Sequence, residues 1–247
     1  TSGESRCAST VTQSQRLDNR SNIDKLDTAA NCQYITKPIV LSCLMLNARS
    51  VKNKLAELHC LIFSNQYDCV FITETWLNND YPNSMLDPDS VYQIARTDRE
   101  TRVGGGVCAL ISRKHHISVT AAGLCTCKNS DVLSFDLHTE LSKYRFIVVY
   151  RPPDYDVTAH NDALALSKFI ENRTIDHHGP VFVVGDINCP SIDYAFSLTA
   201  KNRLEQIISD AFNYNGFCQC VLSATRGDNI LDIVCTTEPL LVSKTNV

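Results

Sequence analysis

A surplus of positive charge is absent from this sequence: 27 Asp and Glu outweigh 23 Lys and Arg, for a formal net charge of −4. Proteins drawn to nucleic acid or an anionic membrane by their overall field carry the opposite balance, so that class is excluded. Contact with a phosphate backbone must come from a few Arg and Lys around a groove. Long apolar runs are absent too. No stretch approaches the roughly 20 consecutive apolar residues that span a bilayer, and the amino end lacks the basic-then-apolar order of a signal peptide. No membrane role is expected. A phosphate-cradling glycine loop is missing, because Gly104, Gly105 and Gly106 precede an apolar run instead of joining strand to helix, and no Lys-Ser/Thr pair follows. Tandem C-x-x-C pairs are missing as well. The 12 Cys include the C-x-C pairs Cys125/Cys127 and Cys218/Cys220, without zinc-site spacing. Cys43, Cys60, Cys69, Cys108 and Cys235 sit inside apolar runs, where a free thiol packs as a small hydrophobe. Reduced cysteines and an intracellular compartment are expected.

What is present is ample core material. With 247 residues, 44% of them hydrophobic, the chain can build one large α/β domain or two small ones. Residues 1–37 are rich in Ser, Thr, Asn, Gln and Asp without sustained periodicity, and are expected to be a disordered leader, with one domain over 38–247. Ile39 to Leu46 reads as a core strand that delivers Asn47. Ser50 is the expected N-cap of a helix whose buried face is Val51, Leu55, Leu58 and Ile62. Asp68 to Thr73 is a second strand, ending at Glu74, so the chain opens with a βαβ rhythm. Val91 to Ala95, Val107 to Ser112, Ile117 to Thr120, Val132 to Leu137 and Tyr144 to Tyr150 read as strands in an antiparallel meander. Val157 to Glu171 and Arg203 to Phe212 read as helices, and Gln219 to Leu222 and Ile230 to Cys235 as closing strands. Two similar halves of strands with interleaved helices predict two sheets packed face to face with helices outside. The sequence begins at Thr1 and stops at Val247 without an ending signal, and a fragment is expected.

The stretch VFVVGDINCPSIDY, Val181 to Tyr194, organises the rest. Four apolar residues end in Gly185, then Asp186 and Asn188 follow at i, i+2. This is the pattern of a buried strand running into a loop that brings backbone close to a ligand. An Asx-turn, in which both side chains bond only local backbone, is the plain alternative. Polar residues also stand at other strand ends: Asn47, Glu74 and Asp232, the last embedded in ILDIV. A carboxylate beside a core strand costs several kcal/mol unless a cation or hydrogen bonds compensate it. If these ends converge, three carboxylates and two carboxamides surround one cavity, an oxygen-rich set suited to Mg²⁺.

The order of motifs resembles the endonuclease/exonuclease/phosphatase superfamily, and within it the endonuclease domain of non-LTR (LINE-type) retrotransposons. The resembling segments are LNARSVKNK (Leu46 to Lys54), ITETWL (Ile72 to Leu77), RVGGGV (Arg102 to Val107), YRPP (Tyr150 to Pro153), GDIN (Gly185 to Asn188) and TRGDNILDIV (Thr225 to Val234). The resemblance implies a four-layered α/β sandwich of DNase I-like architecture and Mg²⁺-dependent phosphodiester cleavage, with Mn²⁺ as a substitute. It implies Glu74 as metal ligand with Asn47 beside it, Asp186 positioning or deprotonating the attacking water, and Asn188 donating to the scissile phosphate. Tyr150 would stabilise the charge developing there, and Asp232 would orient a histidine. The expected partners are DNA and a reverse-transcriptase region of the same element, in the nucleus.

Two departures stand out. The family's Ser-Asp-His motif has no counterpart among the seven histidines, all of which precede Asp232, so the domain is expected to be truncated before its last strand. His177 and His178 are expected to be solvated loop residues. Pro153 also stands where some relatives carry an amide donor. Charge and loop placement make Arg96, Arg99, Arg102, Lys114 and Arg226 the expected phosphate contacts. Another phosphodiester substrate, such as abasic DNA, and a noncatalytic DNA-binding fragment are the alternatives.

Overall fold

A computed structural model describes residues 40–99, 103–115, 118–121, 123, 125–140, 142–194 and 198–247. The expected leader at 1–37 and the expected DNA contact Arg102 lie outside the described residues.

Two mixed sheets carry the fold. In the first, β1 (Cys43–Asn47) and β2 (Cys69–Thr73) are parallel, joined by α1 (Leu55–Asn65). The hairpin of β3 (Tyr92–Thr97) and β4 (Val107–Ser112) completes the order β1-β2-β4-β3. The second sheet begins with three antiparallel strands, β5 (Ser118–Ala121), β6 (Asp131–His138) and β7 (Lys143–Tyr150). From β7, α2 (Val157–Ile175) crosses over to the parallel strand β8 (Val181–Asp186). A short antiparallel pair, β9 (Ile192–Asp193) and β10 (Thr199–Ala200), leads into α3 (Arg203–Tyr214). The chain then returns through β11 (Cys218–Gln219) and β12 (Asp232–Thr236), giving the order β11-β12-β8-β7-β6-β5.

Alternate residues of these strands serve different layers, which is why the strands read as nearly continuous apolar runs. Phe71, Ala109 and Ile111 of the first sheet meet Phe135, Phe146, Val148 and Val184 of the second. Phe146 stacks on Phe71 at 5.3 Å and on Phe182 at 5.0 Å between ring centroids. On the outer faces, α1 covers Val70, Ile72 and Leu110, while α2 and α3 cover Ile147, Val149, Val183 and Ile233. The result is helix, sheet, sheet, helix: a four-layered α/β sandwich. Among the described residues no helix is long and apolar enough to cross a membrane.

Several local expectations are revised. The run from Val107 to Tyr150 is not one meander, since β4 joins the first sheet and β5 to β7 the second. A two-residue period states that a strand is covered on a face but not which sheet it enters. Ser50 does not cap α1. It sits at φ 78° in a turn, its hydroxyl accepting from the Lys52 amide, and α1 starts at Leu55. The capping residues of α2 and α3 are Asp156 and Asn202, which accept from the amides of Ala159 and Leu204.

Candidate active site

The polar strand ends meet at one end of the sandwich. Register places Asp186 beside Tyr150 on one side and Asp232 on the other. In the first sheet Asn47 pairs with Thr73, and Glu74 follows directly. Asn47 then ties the two sheets together: its Nδ2 donates to Glu74 Oε1 at 2.7 Å and to Asp186 Oδ2 at 2.7 Å. Both bonds end on one nitrogen, so the two carboxylate oxygens are separated by no more than the two bond lengths together. Asn47 therefore turns its amide nitrogen to the carboxylates, while its Oδ1 accepts from the Arg49 amide at 3.1 Å.

Asp186 is fully buried and uses its two oxygens differently. Oδ1 accepts from the Asn188 amide at 3.1 Å, which is the local bond of an Asx-turn. Oδ2 takes Asn47 and the Arg226 guanidinium, the latter at 3.1 Å. Burial, then the charge of Asp232, pushes the Asp186 carboxyl above its ordinary value against the pull of Asn47 and Arg226. Asn188, also buried, gives one amide hydrogen to the Arg151 carbonyl at 2.8 Å. Burial, then the charges of Glu74 and Asp186, raises the Tyr150 phenol, which stays a neutral donor. Asp232 Oδ1 is buried and finds no hydrogen-bond partner among the described residues.

Backbone strain gathers here. Arg49 (φ 44°), Ser50 (φ 78°), Glu74 (φ 53°), Trp76 (φ 55°) and Asn188 (φ 46°) all occupy the left-handed region, which non-glycine residues adopt at a cost of roughly 1–3 kcal/mol each. Gly185 (φ 136°) is required: a Cβ there would lie 2.0 Å from the Val149 carbonyl oxygen of the neighbouring strand.

Among the described expected phosphate contacts, Arg226 is the one that pairs with a carboxylate of this cluster. Arg99 is instead committed to an ion pair with Asp131 and to the Asn129 carbonyl at 2.7 Å. Arg96 pairs with Asp98 at 3.2 Å and donates to the Asn78 carbonyl. Lys114 pairs with Asp68 at 2.7 Å, at the start of β2 and thus the far end of the sheet from Glu74. His177 is buried, correcting the expectation of a solvated residue. It packs near Arg145 and Asp136 at the far end of β8 from Asp186.

Arg151 escaped the sequence analysis. It is the bulkiest side chain among those almost wholly buried, and its guanidinium donates to the carbonyls of Ile187 at 3.2 Å, Asn188 at 3.1 Å and Asp154 at 2.8 Å. It thereby holds the loop that carries Asn188. The only sequence signal was a cation directly after an apolar strand.

The donor set is hard. Among the described residues no group of three or more His, Cys, Asp and Glu side chains forms a metal cage. Two carboxylates joined by a carboxamide fit Mg²⁺, which takes few protein ligands and fills its shell with water and phosphate oxygens. The neutral Asn47 amide donates to both carboxylates and the Arg226 cation pairs with Asp186 alone, so Glu74 has no cationic partner among the described residues.

No protein-family model matches the sequence, and neither does any curated protein. Solved structures do match. A 3′ phosphatase, NExo, from Neisseria, bound to product DNA hairpin, aligns over 82% of this chain and 88% of its own with a TM-score of 0.60 and 14% identity. The endonuclease domain of TRAS1, a telomere-specific non-LTR retrotransposon, aligns over 82% and 92% with a TM-score of 0.58 and 15% identity. The four-layered α/β sandwich is the fold these solved structures share with this chain. An AP endonuclease, LMAP, from Leishmania major shares this fold over 81% of this chain and 79% of its own, with a TM-score of 0.57 and 15% identity. These structural neighbours are nucleases and phosphatases.

Proposed function

We propose that this chain is a Mg²⁺-dependent phosphodiesterase that nicks DNA, of the kind that opens a target strand for reverse transcription by a separate region of a non-LTR retrotransposon in the nucleus. The observation that carries the reading is the Asn47 bridge, which brings carboxylates of both sheets to one point. Glu74 would hold Mg²⁺ or Mn²⁺ with Asn47 beside it. Bound there, such an ion would supply Lewis-acid polarisation of a phosphoryl oxygen and offset the charge that develops on it.

The remaining work belongs to the side chains. The Asp186 carboxylate orients the attacking water and takes its proton. Asn188 donates its second amide hydrogen, and the neutral Tyr150 its hydroxyl, to the phosphate oxygens. Arg226 is within reach of the same phosphate. Asp232, with its unpartnered Oδ1, would orient a histidine.

Nicking of supercoiled DNA in Mg²⁺ tests the reading. Glu74→Ala and Asp186→Ala are each expected to lower the rate by about 100- to 1,000-fold. Unchanged nicking in both variants would remove the metal-site assignment. The likeness to an AP endonuclease favours abasic DNA as a second substrate, so an abasic duplex belongs in the same assay. DNA binding with no turnover on either substrate would favour a noncatalytic role.

A further inference from the structure

We propose that Trp76 is a stacking platform for a nucleobase adjacent to the phosphate bound at Glu74 and Asp186; this rests on the nuclease reading and adds base recognition to it. Trp76 is the sole tryptophan of the chain. Its neighbours Thr75 and Leu77 are 0% and 4% exposed, yet Trp76 is 36% exposed. A large aromatic ring between two core residues is ordinarily drawn inward, so its position at the mouth needs a cause.

The backbone supplies the position. Trp76 and Glu74 both adopt positive φ, 55° and 53°. Hydrogen bonds from the Trp76 amide to the Gly105 carbonyl, 2.8 Å, and from the Thr75 amide to the Gly106 carbonyl, 3.2 Å, hold the segment. The indole Nε1 lies 3.4 Å from Glu74 Oε2. A Cβ on Gly104 would sit 3.7 Å from Nε1, so this glycine lies beside the indole. Among the described residues no aromatic ring or cation stacks on the indole. Strained backbone that keeps an unstacked aromatic surface beside the carboxylates has the character of a ligand contact.

The chemistry of the occupant follows from the setting. A ring in contact with Glu74 is within one nucleotide of a phosphodiester held there, and every base offers a π-face irrespective of sequence. The net charge of −4 gives the protein little general attraction for phosphates, so stacking supplies a larger share of binding than it does in a basic protein. The expected worth of one stacked base is about 5- to 150-fold in affinity.

Tryptophan fluorescence tests this directly, because Trp76 is the sole reporter. The chain is titrated, without divalent ions, with a short single-stranded DNA and with an abasic strand of equal length and phosphate number. The base-bearing strand is expected to quench the fluorescence and to bind Trp76→Ala about 5- to 150-fold more weakly, with Trp76→Phe retaining most of the affinity. The abasic strand is expected to bind wild type and Trp76→Ala alike, without quenching. Equal quenching by both strands, or equal binding of the base-bearing strand by wild type and Trp76→Ala, would overturn the proposal. Failure of both strands to bind would overturn it together with the nuclease reading. Base-dependent quenching without nicking in Mg²⁺ would uphold Trp76 and defeat the nickase reading alone.

Discussion

Asp186 shows how a single residue serves function against stability. It is fully buried and faces Asp232 across the strand pair, so the folded state disfavours its charge and its carboxyl is raised. A raised carboxyl means the folded protein binds protons more readily than the unfolded chain, so this group costs stability at neutral pH and regains it as pH falls. Asp186→Asn removes the charge while keeping an oxygen that can accept from Asn47. Its melting temperature at neutral pH is expected to rise while nicking falls by orders of magnitude, checked by thermal denaturation beside the nicking assay. A lower melting temperature would mean that the ion pair with Arg226 outweighs the burial penalty. The type and spacing of Asp186 and Asn188 were legible in the sequence because a strand end is a local feature. The Asn47 bond to Asp186 was not, since it joins residues 139 apart.

At the scale of elements, α2 controls the site from a distance. Asp162, buried on its inner face, accepts from the amides of Lys128 at 2.7 Å, Asn129 at 2.8 Å and Ser130 at 2.8 Å, and from the Ser130 hydroxyl at 2.6 Å. These bonds fix the entry to β6, whose first residue, Asp131, accepts from the Gly106 amide at 2.9 Å. Gly106 in turn accepts from Thr75, next to Glu74. Asp162→Ala would leave three backbone donors without their acceptor, a cost of about 3–5 kcal/mol. Urea denaturation is expected to show that loss, and hydrogen exchange to quicken at 128–131 and 105–106 before elsewhere. Exchange that rises uniformly over the chain would argue against this linkage. The helix itself was legible from its apolar spacing, but an acid on the inner face of a helix does not reveal which loop it will hold.

Across the whole molecule, the end remote from the active site carries its own charge cluster. Asp136 pairs with Arg145 at 2.7 Å and Lys143 at 2.9 Å, and His177 lies against them. Burial, then the Arg145 charge, lowers the His177 imidazole from its ordinary 6.5. A histidine lowered in the folded state contributes stability that is complete above its unfolded value and is lost as pH falls through about 6.5 toward the folded value. Burial raises the Asp136 carboxyl, but the bonds from Arg145 and Lys143 overcome it, so its contribution is lost only below about pH 3.8. Unfolding free energy is therefore expected to decline first in mildly acidic solution, and His177→Gln to flatten that decline. An identical pH profile in the variant would rule His177 out as its source.

The sequence by itself determined the longer strands, the helices and the polar residues at strand ends, because apolar periodicity and interruptions of an apolar run are properties of neighbouring residues. Only the tertiary structure decided that β4 and β5 part into different sheets, that Arg226 rather than Arg96 or Arg99 faces the carboxylates, and that His177 is buried. Each of those outcomes depends on a partner far along the chain. An arginine's sequence shows its charge, whereas the carboxylate that claims it is chosen by which strands pack together.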